Sequence, residues 1–134
     1  MTYKVVIPGQ MPNLNDYLQT ERTKFRTSNG RTNTKGNELK KQWMNYCIVY
    51  IRKALKGLQI TKPVKLYYRF YEPNKKRDLD NIASFAMKVI QDSLVLAKVL
   101  ENDGWKQITG FSCAFDVSES DPRIELFIVE VENE

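Results

Sequence analysis

Two carboxylates two residues apart, Asp78 and Asp80, directly follow three cations, Lys75, Lys76 and Arg77, in the stretch KKRDLDN at 75–81. An extended chain sends residues i and i+2 to the same side, so both carboxylates can converge on one point while Leu79 turns inward. Converging carboxylates with no lysine between them are ligands for a hard cation, magnesium above all. The adjoining cations could hold phosphates. A plainer explanation competes. Asp80 precedes a helical run, where a short acidic side chain caps free amides, and Asp recurs in turns for local hydrogen-bonding reasons. For the pair alone, cap and turn is the commoner reason.

A third acid, Asp103, sits in the turn sequence ENDGW. Asn-Asp-Gly is itself a common turn. Between it and the pair lies a helical segment of about twenty residues, which spans roughly 30 Å. Asp103 therefore reaches Asp78 and Asp80 only if the helix ends near Val95 and the chain from 96 to 101 doubles back. Periodicity leaves both arrangements open.

Other chemistries are narrowed by what the chain lacks. It has no histidine, and its two cysteines, Cys47 and Cys113, are far apart. Zinc sites needing His or several Cys, Ser-His-Asp triads and Cys-His dyads are excluded. Acid-base or metal chemistry must rest on carboxylates, Lys, Tyr or water. The cysteines are expected to be reduced and mostly buried. The net charge is +5, and its distribution is uneven. Arg22, Lys24, Arg26, Arg31 and Lys35 face the single Glu21 in the segment 20–37. Lys75, Lys76 and Arg77 form a second cluster, and the stretch 118–134 is acidic. One positive face and a polyanionic partner would suit this asymmetry.

The elements that must position these residues follow from periodicity. Residues 3–7 read as a short strand. Residues 8–37, rich in Pro, Gly, Asn, Thr and Ser, read mostly as loop. That loop is either a disordered connection or a basic arm that orders on nucleic acid. Leu39, Trp43, Tyr46, Cys47, Tyr50, Ile51 and Ala54 recur at helical spacing over 38–56. Strict alternation over 64–71 predicts a strand that Pro73 ends. A second helix is expected over 81–100, and two strands over 107–117 and 124–131. The order strand, helix, strand, helix, strand, strand predicts one α+β domain over 1–134. It would be a mixed four-stranded sheet with two helices packed on one face. The start of the chain reads as a strand and not a signal peptide, and no apolar run is long enough to cross a bilayer. A cytoplasmic protein with no membrane partner is expected.

RDLDN, KVIQDSL and VLENDGWKQI, in that order, together with the early MPNLNDY, resemble the RusA family of Holliday junction resolvases, especially its phage and prophage forms. The resemblance implies a small homodimeric nuclease that needs magnesium, with manganese as a possible substitute, and no small-molecule cofactor. It implies binding of four-way DNA junctions and symmetric nicking of two opposing strands. Its acidic site matches Asp78, Asp80 and Asp103, which implies that the chain does double back. A helix lysine needed for cleavage matches Lys88 in KVIQDSL. The best-known member carries that lysine about one helical turn nearer the DxDN block, where Ser84 stands here. Lys75, Lys76 and Arg77 would hold flanking phosphates, and Arg22, Lys24, Arg26, Arg31 and Lys35 could extend the contact. A four-way junction is nearly two-fold symmetric, so paired nicks call for a two-fold dimer. Three other readings stay open: a nuclease for flaps or forks, a non-catalytic junction-binding protein, and a plain globular domain with a basic surface.

Overall fold

Clean alternation in the sequence marks the central strand. The structure, a computed structural model, describes residues 1–22, 24–26, 30 and 32–132. In it β4 (Val64–Glu72) buries Val64, Leu66, Tyr68 and Phe70 on one face. It pairs antiparallel with β6 (Arg123–Glu130) and parallel with β5 (Ile108–Val117). Strand β1 (Thr2–Pro8) closes the other side on β6, so the sheet order is β1-β6-β4-β5. Helices α2 (Lys35–Leu55) and α3 (Leu79–Leu96) pack on one face, and their Ile51, Val89, Ile90 and Leu94 share a single core with Leu66, Tyr68 and Leu126. The expected α+β fold with a mixed four-stranded sheet is what forms. Because β4 and β5 are parallel neighbours, α3 is the crossover between them.

The segment read as loop carries more structure than expected. Helix α1 (Leu14–Glu21) starts in a reciprocal cap: the Asn13 side chain accepts from the Asp16 amide, and Asp16 accepts from the Asn13 amide. A cap of this kind satisfies two otherwise orphaned donors. Its Tyr17 ring stacks at a tilt on Phe85, 4.8 Å between centroids. A short hairpin follows, β2 (Lys24–Arg26) with β3 (Thr32–Thr34). Helix α2 begins three residues before the expected start at 38, because Thr34 caps it by accepting from the Asn37 amide. Gly36 lies so close to Glu21 that a Cβ there would collide with the carboxylate, which itself accepts a hydrogen bond from the Thr34 hydroxyl.

Cys47 is fully buried in the core, and burial pushes its thiol up to about 12. Burial also raises the half-buried Cys113, whose Sγ lies 3.5 Å from Met87 Sδ. Only a thiolate attacks a disulfide reagent. In native protein near pH 8, Cys113 is therefore expected to react slowly and Cys47 not at all, with both reacting rapidly in denaturant. Mass-mapped labelling checks this, and rapid native labelling of Cys47 would refute the packing described. Among the described residues no helix is long and apolar enough to cross a membrane.

Candidate active site

Strand β4 ends at Glu72, and the loop that follows delivers the chain to the start of α3. Asn74 shapes it by accepting from the Lys76 amide at 3.0 Å. In sheets with parallel neighbours, the crevice outside the carboxyl ends of the strands is where ligands collect. A cavity of about 390 Å³ lies there, lined by Lys75, Arg77, Asp78, Leu79, Phe115 and Asp116 among others.

The backbone around the two acids is not the expected extended stretch. Asp78 is the N-cap of α3, with extended φ and ψ of −71° and 146°, and helix begins at Leu79. Alternation stops there, so Leu79 does not turn inward: it is 56% exposed. Asp78 rather than Asp80 holds the cap position, yet its side chain makes no cap hydrogen bond. Asp80 lies in the first turn, where Oδ1 accepts from the Asn81 amide at 3.0 Å and the Ser84 hydroxyl donates to the Asp80 carbonyl at 2.6 Å. Both acids are exposed, and neither has an ion-pair partner among the described residues.

Two residues that sequence reasoning missed complete this end. Glu72 is buried and accepts from Gln10 Nε2 at 3.0 Å and from Arg77 Nε and Nη2 at 2.8 and 3.0 Å. Arg77 Nη1 also donates to the Met11 carbonyl at 2.8 Å. The basic triplet is thus divided: Arg77 ties the loop to β4 and the N-terminal segment, while Lys75 and Lys76 are exposed. Asp116, at the carboxyl end of β5, lines the same cavity as Asp78. Glu72 ends an alternating strand, which gave a weak signal of burial. Nothing in the sequence pointed to Asp116, because only the β4–β5 register places it there.

Asp103 does come back along α3. The helix stops at Leu96, and Lys98 takes a left-handed φ of 62°. The Val99 and Leu100 amides both donate to the Leu94 carbonyl, a reversal that uses up helix-end acceptors. The Ile60 amide pins the returning chain at the Val99 carbonyl, 2.8 Å. Asp103 then meets Lys88, Oδ2 to Nζ 3.7 Å, beside Asp92. Asp92 bridges Lys88 at 3.1 Å and Lys40 at 2.7 Å. Burial pushes the Asp92 carboxyl up, but the two lysines outweigh it and hold the group below its ordinary value. Its hydrogen bond in turn raises the Lys88 ammonium against an opposing pull from burial, and Asp103 adds a smaller push upward.

The expected residues therefore fall into two groups. Lys88 joins Asp103, and Asp78 lies with Asp80. Eight residues of helix, about 12 Å, separate Asp80 from Lys88 along the axis. Among the described residues no group of three or more His, Cys, Asp or Glu is arranged to hold a metal. Magnesium, however, is commonly held by one or two carboxylates plus substrate phosphates and several waters. The exposed carboxylates of Asp78 and Asp80, which no described cation pairs, fit that role. Of the outer cations, Arg22 and Lys35 are exposed at the end of α1 and the start of α2. Lys24 and Arg26 fall on β2, and Arg31 lies outside the described residues.

A small α+β domain with exposed carboxylates and lysines near the carboxyl ends of parallel strands is suited to phosphate chemistry. The comparison with known families names the kind: the family model Endodeoxyribonuclease RusA matches residues 17–129, and the chain belongs to that family of crossover junction endodeoxyribonucleases. No individual curated protein matches the chain.

Proposed function

We propose that the protein is a magnesium-dependent homodimer that resolves Holliday junctions by paired symmetric nicks, in cytoplasmic DNA recombination and repair. The observation that carries this is the Asp78–Asp80 pair, exposed at the N-terminus of α3 with no cation partner among the described residues, in a chain of the RusA family. When bound, magnesium supplies a Lewis acid for the scissile phosphate and an acidified water as nucleophile. Asp78 and Asp80 would hold it; Asp103, which family resemblance assigns as the third carboxylate, stands with Lys88 in the second group. Lys88 offsets charge on the phosphorane-like transition state. Its contacts to Asp92 at 3.1 Å and Asp103 at 3.7 Å are made with the lysine side chain 62% exposed. Exposed pairs of this kind contribute below about 1 kcal/mol, so a DNA phosphate can take the ammonium over. Lys75 and Lys76 hold flanking phosphates, which fix position and carry no sequence information.

The test compares a synthetic four-way junction, a flap, a fork and a linear duplex under one protein preparation, with and without magnesium or manganese. Paired nicks in the junction alone, dependent on the metal, are expected. Equal cutting of flaps or forks would replace the junction assignment. Binding without cutting in either metal would replace the catalytic one.

A further inference from the structure

The helices and the core occupy one face of the sheet, and among the described residues nothing covers the other. On that open face the central strand β4 presents Lys65, Tyr67, Arg69 and Tyr71 in alternation. Tyr67 is 40% exposed. Its flanking cations, Lys65 and Arg69, are exposed, stand about 13 Å apart along the strand, and have no ion-pair partner among the described residues. Beside them β5 offers only small residues: Gly110 pairs with Lys65, Ser112 with Tyr67 and Ala114 with Arg69. On that side no bulky side chain rises over the Tyr67 ring. On the other side Phe127 of β6 is its register partner.

Of the remaining charges on this face, Asp116 stands at its far end, beside Tyr71, and two others are committed to each other. Glu125 is held by Arg123 at 2.8 Å and by Lys4 at 3.7 Å. Arg123 also lies over the Tyr71 ring, 3.8 Å from its centroid. Removing these leaves a ring between two free cations on a flat, uncovered surface. Tyr71 pairs in register with Asp116, which lines the cavity beside Asp78. The face thus begins where the candidate active site ends. A ring with flanking cations is how proteins take single-stranded nucleic acid, the base stacking on the ring and the backbone on the cations. A second copy docked face to face would bury Lys65 and Arg69 of both copies, four cations with no ion-pair partner of their own among the described residues.

We propose that the open sheet face is a second DNA surface, which binds a single strand by stacking a base on Tyr67 between phosphates held by Lys65 and Arg69. It needs no metal and no cleavage. The test is fluorescence anisotropy with a short labelled oligothymidylate, in EDTA. Tyr67→Ala is expected to weaken binding by about fivefold or more, the loss that removing one base–aromatic stack produces. Tyr67→Phe should bind as wild type does. Tyr67→Leu, which keeps bulk without the ring, should repeat the loss with circular dichroism unchanged. Asp80→Asn should bind normally, which keeps this result separate from the catalytic one. Unchanged affinity in folded Tyr67→Leu overturns the proposal. A fall in oligomeric state by sedimentation with affinity unchanged would overturn it too, and would give the face to a second copy.

Discussion

Asp80→Asn protein is expected to bind a four-way junction as tightly as wild type and to nick it about a thousandfold more slowly or worse. That is the effect of losing several kcal/mol of transition-state stabilisation. The substitution keeps shape and hydrogen-bonding capacity while removing the charge. The structure explains why folding should survive it. Asp80 accepts only its neighbour's amide and pairs with no described cation. The stability at risk is the helix-dipole contribution of one first-turn carboxylate, about 0.3–1 kcal/mol. If Asp80 served only to start α3, nicking would persist in the Asn variant. The checks are single-turnover nicking in magnesium and anisotropy without it. Asp78→Asn should behave alike, since its side chain makes no cap bond.

What could be read from the sequence, and what could not, divides along a physical line. Burial on a regular element leaves a period, and β4, α2 and α3 all showed it. Their buried residues Leu66, Tyr68, Cys47, Ile51, Val89 and Ile90 are those that periodicity singled out or placed on the inner face. Helix α1 has no fully buried residue, so it left no stripe. Its signal was the cap, Asn13 with Asp16, inside a segment dominated by loop-forming residues. The condition for Asp103 was legible but its outcome was not. Whether a helix ends at Leu96 depends on Lys98 adopting a left-handed φ, a conformation other residues than lysine favour. The inward Leu79 failed for a related reason. Strand alternation was carried one residue too far, past the N-cap. Contacts distant in sequence, such as Gln10 with Glu72 or Asp116 beside Asp78, leave no local trace at all.

Arg77 shows how much turns on such a contact. In sequence it belongs with Lys75 and Lys76, one basic triplet facing DNA. In the structure its side chain is 17% exposed and locked on Glu72, whose own side chain is 9% exposed. Removing one partner of a buried ion pair leaves the other charge uncompensated. Arg77→Ala should therefore cost roughly 2 to 4 kcal/mol, the lower part of the range for buried pairs because some water reaches the arginine. The melting temperature should fall by about 10 °C. Arg77→Lys should recover little, since an ammonium cannot reproduce the two-pronged contact. Adding Glu72→Gln to Arg77→Ala should recover most of the loss by removing the stranded charge. Lys75→Ala and Lys76→Ala should do the opposite: leave melting unchanged, weaken junction binding and lower its salt dependence by about one unit each. Unchanged melting in Arg77→Ala, with weakened DNA binding, would return Arg77 to the phosphate contacts. On the expected result, the arginine next to Asp78 acts on cleavage by fixing where the loop from β4 delivers that carboxylate, and the two lysines before it are the ones that meet DNA.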